Sequence, residues 1–410
     1  MTGWIIEPYE PLIVRDGRPF GRQPGVLAAS LPFPFPATTT GATRNRAGSD
    51  EDGTFRATGD QLQALKKIQV RGPLLARMDA TSQTWQLLAP APGDAFLSGE
   101  KKCLQLVPLQ APPDVYVQPC GEKQQEQFAE GLALVGLPRP VSTKPADKQP
   151  AFWTWETFMQ WLLEPEHVCR DWSASERGIL PLPQEQRIHV ALERGMMVAR
   201  EGDLFETRGL EFTVRTENGD LKQAHRLALW LDVALPKDMP ASAMQSGPGC
   251  LGAERRLVHW QKDGLTCPPP PDRLAEQIMS VSMSASGDPE RAASCRLILL
   301  TPAFFAGGYR PNLSSLEYEG IKPRLRAVLV QRPQVISGWD MEDNRRKATR
   351  RLMPAGSVFF LDLLGPRANI PAWIERTWMS CVSEEEQDRF DGFGLAVPGI
   401  WSGQLEEIVL

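Results

Sequence analysis

The densest concentration of chemistry-bearing side chains lies between Lys322 and Arg351. It holds Lys322, Arg324, Arg326, Arg332, Arg345, Arg346, Lys347, Arg350 and Arg351 against only Asp340, Glu342 and Asp343. Within this run sits an aromatic flanked by glycine, Ser337-Gly338-Trp339-Asp340. Guanidinium groups that grip phosphates, beside a ring on which a base can stack, are what single-stranded nucleic acid requires. The bland alternative is a basic solubilising loop. Further arginines stand at turn-like places: Arg15 and Arg18 around Asp16-Gly17, Arg44 and Arg46 after Thr38-Thr39-Thr40-Gly41, and Arg255 with Arg256 after Gly252. Coming from separate turns, these six are available to converge on one groove.

Other chemistry is thinly represented. Gly247-Pro-Gly249-Cys-Leu-Gly252 has the spacing of a dinucleotide fingerprint. That fingerprint needs a strand immediately before it and a helix opening on it. Here Pro248 interrupts the run and the residues after Gly252 read as a strand, so the segment is expected to be an irregular turn carrying Arg255 and Arg256. The histidines are His167, His189, His225 and His259. Only His189 sits on a polar strand face beside an arginine, where a surface role outweighs acid–base catalysis. The seven cysteines are scattered with no C-x-x-C pair, the usage of a reducing cytoplasm without a disulfide framework or zinc knuckle. No cofactor or metal motif is present.

The chain has 410 residues, with 45 Lys+Arg against 50 Asp+Glu and a net charge of -5. Mild acidity excludes indiscriminate coating of polyanions while leaving room for a local basic patch. Acids collect instead from Glu375 onward, including Glu384-Glu385-Glu386, Glu406 and Glu407. The 34 glycines and 37 prolines indicate many turns and irregular connections. Glu7 and Glu10 stand where a secretory signal needs a basic head, and apolar runs such as LALWL are strand-sized. A cytoplasmic protein without a membrane segment is expected.

Periodicity assigns the basic residues to local elements. Residues 3–15 read as a strand. Leu31-Pro-Phe-Pro-Phe-Pro36 is forced to be extended, because a residue before proline is pushed out of the helical region. A threonine-capped helix is expected over 37–46. Trp155, Phe158 and Leu162 recur at helical spacing within 152–163. Arg187 and His189 alternate with Ile188 and Val190 in a strand, on its polar face. Cys267-Pro-Pro-Pro-Pro271 reads as a stiff linker. It divides an N-terminal domain (1–266, with an irregular insertion over about 48–180) from a C-terminal one (272–410). Both are expected to be α+β with largely antiparallel sheets, and each ends on a glycine-rich turn, the second being Gly392-Phe-Gly394.

Six blocks, in order, resemble the RAMP superfamily of CRISPR effector proteins, and within it the type III-B (Cmr) subunits that cap the guide RNA. They are RDGRPFG (15–21), PFPATTTGATRNR (34–46), RIHVALERGMMVAREGDLFETRGLEF (187–212), CLGAERRLVHW (250–260), the stretch from LILLTPAFFAGGYRP (297–311) to GWDMEDNRRKATRRLMPAGSVFFLDL (338–363), and GFGLAVPGIW (392–401). The resemblance implies two ferredoxin-like (RRM-like) domains with long insertions and glycine-rich loops. It implies a non-catalytic role: holding the crRNA 5′ handle and anchoring a large polymerase/cyclase-type subunit beside other RAMP subunits, with target RNA met only indirectly. A related reading is a metal-independent RAMP endoribonuclease that processes CRISPR RNA. No histidine lies in 37–46, where many RAMP nucleases place one. Such a sheet would leave one face free for RNA, exposing Arg187 and His189. Gly392 and Gly394 would let backbone amides approach phosphates unobstructed by Cβ.

Overall fold

The computed structural model describes residues 1–15, 27–28, 30–50, 52–99, 102–110, 131–168, 177–193, 195–196, 198–214, 224–282, 291–340 and 345–409. Two antiparallel sheets organise it. The first is built on β1 (Thr2–Pro8), β2 (Gln69–Met78), β3 (Trp85–Pro90), β4 (Phe152–Thr154), β5 (Gly178–Ile179), β8 (His225–Ala234), β9 (Gly247–Leu251) and β10 (Arg256–Lys262). Its order is β5-β4-β3-β2-β8-β1-β10-β9, with Thr213–Val214 attached to β8. Between β5 and β8, β6 (Gln184–Leu192) and β7 (Ala199–Leu210) form a hairpin, joined by Leu27–Ala28 in a separate three-stranded sheet.

The second sheet uses β11 (Arg291–Leu299), β12 (Lys322–Leu329), β17 (Val358–Leu364), β18 (Ser380–Cys381) and β19 (Leu395–Ile400), in the order β12-β17-β11-β19-β18. Between β12 and β17 a ribbon protrudes, made of β13 (Gln334–Ile336) with β16 (Arg350–Leu352) and β14 (Trp339–Asp340) with β15 (Arg345–Arg346). Four strands of each sheet repeat one pattern. Numbered along the chain within each set, β10-β1-β8-β2 and β19-β11-β17-β12 both run 4-1-3-2, and every pairing is antiparallel. In both sets the protruding ribbon occupies the connection between the second and third strands.

Strand alternation decides what each face meets. Trp4 and Ile6 stand across from Leu231 and Leu229, while Ile5 stands across from Trp230 on the opposite face. The first face is covered by the helices α1 (Pro36–Ala47) and α2 (Asp60–Lys66) and packs Trp4, Ile6, Leu65, Ile68 and Trp260 into one core. The other face joins a second core with Phe158, Trp161 and Leu162 of α3 (Trp155–Leu163) and with Ile298 and Phe360 of the second sheet. A Cβ on Gly399 of β19 would lie 3.0 Å from the Leu162 side chain, so α3 rests directly on that strand. Helices α4 (Leu274–Ser282) and α5 (Ile370–Thr377) add Leu274, Ile278, Trp373 and Ile374 to the same core.

A fully buried ion pair, Arg296 of β11 with Asp94, lies in this region. Asp94 also accepts from the Trp161 indole at 3.0 Å, and Arg296 donates to the Trp161 carbonyl at 2.6 Å. Removing one partner of such a pair strands a buried charge and costs about 3–5 kcal/mol.

The sheet face expected to be free for RNA is therefore filled, and the Arg187/His189 strand belongs to the hairpin outside the main sheet. The segment expected as an irregular turn at 247–252 is the edge strand β9, paired with β10 from Gly247↔Trp260 to Leu251↔Arg256. Helix α1 starts at Pro36 behind an extended Phe35, with proline rather than threonine setting its first turn. Helix α3 starts at Trp155, where the Thr154 hydroxyl accepts from the Thr157 amide at 3.3 Å, and Phe152–Thr154 is a strand. The described cysteines are free. No described helix is long and apolar enough to cross a membrane.

Candidate nucleic-acid interface

Helix α1 divides its faces by residue type. Thr39, Thr40 and Thr43 are buried, and their hydroxyls are satisfied by Pro36 O at 3.0 Å, Asp391 O at 2.7 Å and Thr39 O at 2.9 Å. The opposite stripe, Ala42, Asn45 and Arg46, lines a cleft of about 860 Å³ closed by β9 and the Arg255 turn. Cationic residues in the last turn also suit the negative end of the helix dipole.

Arg46 forms the cleft floor. Its Nε donates to Gln245 O at 2.8 Å and its Nη1 to Pro248 O at 2.9 Å, with the guanidinium 5.6 Å from the centre of the Trp260 ring. Partial burial lowers its pKa, but a guanidinium keeps its charge throughout the physiological range. Gly249 is what permits this approach, since a Cβ there would lie 2.9 Å from the Trp260 ring and 3.0 Å from Arg46 Nη1. Arg255 stands at the rim on a tight turn in which Glu254 (φ 58°) and Arg255 (φ 51°) are both left-handed. It is exposed, with no ion-pair partner among the described residues. The acidic lip, Asp50 and Asp52, is bound by Arg56 at 2.8 and 3.3 Å.

Neighbouring arginines hold the turn. Arg256 donates to Glu10 at 2.7 Å and Glu254 at 2.9 Å, and Arg15 lies 3.9 Å from Glu254. Glu10 also accepts from the Leu257 amide at 2.9 Å, and this bond, followed by Arg256, keeps its carboxyl below the usual range.

The basic segment divides as well. Arg324 and Arg326 lie 3.0 and 3.5 Å from buried Asp362, and Arg350 grips Asp388 through its two Nη nitrogens at 2.8 and 3.0 Å. Lys322, Arg332, Lys347 and Arg351 are exposed, with no ion pair among the described residues. Arg345 is exposed on the same ribbon. The side chains of Trp339 and Arg346 lie outside the described residues, although their backbones pair across β14 and β15. Arg18 is outside them altogether.

Three other candidates are held inside the fold. Arg44 donates to Leu65 O at 3.0 Å, Lys66 O at 3.1 Å and Asp391 at 2.6 Å. Gly392 and Gly394 are buried, at φ 94° and 80°. A Cβ on Gly392 would sit 2.6 Å from Gly72 O, so this glycine serves the contact with β2. On the hairpin, Arg187 pairs with Glu185 at 2.8 Å, while His189 bonds the Thr207 hydroxyl at 2.9 Å and stacks on Phe205 at 5.0 Å. The residue that sequence reasoning missed is Trp260. Its place across from Gly247 was hidden because the glycines obscured the strand.

A mixed α+β protein with filled sheets, a cleft floored by Arg46 and a basic ribbon is thus defined. The chain belongs to the family described as CRISPR-associated protein (Cas_Cmr3), whose model matches residues 4–401, and is a type III-B CRISPR effector subunit. Among solved structures it is similar to a chain of the Type III-B Cmr-beta bound to cognate target RNA, at TM-score 0.44 and 13% identity over 88% of this chain and 86% of that one. The same assembly with AMPPnP, state 1, gives 0.43 and 14% over 88% and 86%. A chain of the Csm3-Csm4 subcomplex of the type III-A interference complex gives 0.32 and 10% over 89% and 94%. No curated protein matches the chain.

Proposed function

We propose that this subunit holds the 5′ handle of the crRNA without cleaving it, and seats the large polymerase/cyclase-type subunit and other RAMP subunits of its complex. We read the two 4-1-3-2 sheets as ferredoxin-like units, with α1 in the first crossover and α5 in the second. The observation that carries the RNA reading is where unpaired charge remains. The sheet cores are filled, and the exposed cations Arg255, Lys347 and Arg351 stand at a cleft rim and on a ribbon. Phosphate contacts position a strand, and Arg46 beneath Gly249 offers a charged floor for one. His189, stacked and hydrogen-bonded on the hairpin, is read as structural.

The test is binding of labelled handle RNA to the full chain across a salt series. With about five phosphate contacts, the log–log slope is expected near -3.5, at ~0.7 per contact for single strands. Salt-independent affinity would overturn the reading. Repeat RNA should remain intact in the same tubes; specific cleavage lost in His189→Ala would establish the ribonuclease alternative instead.

A further inference from the structure

Between the cleft helix and the basic ribbon lies α6 (Glu386–Asp391), a six-residue acidic helix. Asp391 faces α1: its carboxylate takes Arg44 at 2.6 Å and its carbonyl takes the Thr40 hydroxyl at 2.7 Å. Asp388, one turn earlier, faces the ribbon and accepts from both Nη nitrogens of Arg350. The Arg350 guanidinium also lies 4.6 Å from the centre of the Phe304 ring. Arg44 is two residues before Arg46, and Arg350 immediately precedes Arg351. Each basic region thus has one arginine turned inward to α6 and one available for the surface. The helix ends at Gly392, whose missing Cβ lets the backbone close on Gly72 O.

We propose that α6 is a positioning strut, coupling the Arg46 cleft to the Arg351 ribbon so that they engage one RNA strand as a preformed unit. The proposal rests on the RNA-binding reading above. Its physical basis is the alternation Arg44–Asp391–Asp388–Arg350, in which two carboxylates one turn apart are each neutralised by an arginine from a different element. Removing either carboxylate charge leaves an arginine half-satisfied and frees that element to shift. Neither aspartate touches RNA in this scheme.

The test uses the full chain with Asp391→Asn, scored by handle-RNA affinity, salt slope and amide hydrogen exchange without RNA. Affinity should fall about five- to tenfold, a modest coupling effect, with the log–log slope unchanged because no phosphate contact is lost. Exchange at Arg350–Leu352 should accelerate, although Asp391 does not contact that strand. Thr40→Val, which keeps every charge, should show the same pattern at smaller size and serves if Asp391→Asn does not fold. If Arg255→Ala and Arg351→Ala leave RNA binding unchanged, the RNA reading fails. If those substitutions weaken binding while Asp391→Asn and Thr40→Val leave affinity and exchange at 350–352 unchanged, the strut is overturned. A flattened slope in Asp391→Asn would also overturn it, by showing that phosphate contacts were lost.

Discussion

Two glycine segments, Gly247–Gly252 and Gly392–Gly394, look alike in composition and have opposite roles in the structure. The first is an edge strand open to the cleft, where Gly249 leaves room for the guanidinium and indole of Arg46 and Trp260. The second is buried where α6 meets β2, and its glycines make room for backbone oxygen and nitrogen of Gly72 and Ser383. The arginines beside them divide the same way. Arg255 near the first segment is exposed, while Arg44 and Arg350 near the second are bound by Asp391 and Asp388. A glycine that makes room for side chains at a cleft can serve a binding surface, whereas one locked against backbone serves the fold.

The sharpest way to break that distinction is to add one methyl group to each segment. Gly392→Ala forces alanine into φ 94° with its Cβ 2.6 Å from Gly72 O and 2.9 Å from Val70 O. Backbone strain and overpacking together should cost about 3–5 kcal/mol, read as a lowered denaturant midpoint. Gly249→Ala carries no backbone strain but meets the buried Trp260 ring at 2.9 Å as well as Arg46, so overpacking alone should cost about 1–3 kcal/mol of stability. Its effect should appear in RNA affinity through displacement of Arg46. The reverse ranking would remove the distinction between junction and cleft.

The next effect is on binding alone. Arg255→Ala and Arg351→Ala should each flatten the salt slope by ~0.7, weakening all sequences alike. Arg350→Ala should instead lower stability, because Asp388 would be left buried without its partner. Trp339→Ala should cost ~1–3 kcal/mol of RNA affinity if its ring stacks on a base.

Much of the fold was legible because it follows from periodicity. Strands at 69–78, 225–234 and 358–364 each contain strand-length runs rich in apolar residues, and the helix around Trp155–Leu163 shows its spacing. What could not be read was which charges cancel. Arg350 and Arg351 are neighbours of one type, yet strand alternation turns the first onto Asp388, 38 residues away, and the second outward. Arg44 and Arg46 are separated by a single residue, and only the positions of Asp391 and Pro248, far along the chain, distinguish their roles. The filling of the sheet faces was hidden for a similar reason. Asp94 lies in a stretch without clear periodicity, and although the helix carrying Trp161 is legible, nothing in its spacing shows that both residues close over Arg296 of the second sheet.

The smallest effect is a difference in sign with pH. Glu10, at the turn beneath the cleft, has its pKa lowered by the Leu257 amide and then by Arg256, from an ordinary value of 4.5. Its stabilising contribution is present above that value and is lost as pH falls through the depressed folded-state pKa. Asp388, at the junction, is shifted upward from 3.8 because burial outweighs the help of Arg350. The folded state then holds that proton more tightly than the unfolded chain, so this group's contribution declines as pH rises from 3.8 through the folded value, and is level above it. Unfolding midpoints of wild type, Glu10→Gln and Asp388→Asn from about pH 3 to 7 separate the two contributions. Subtracting Glu10→Gln from wild type should leave a curve that rises with pH, and subtracting Asp388→Asn one that falls. Two curves of the same sign would mean that cleft and junction carboxylates experience the same environment, contrary to the partners each one has.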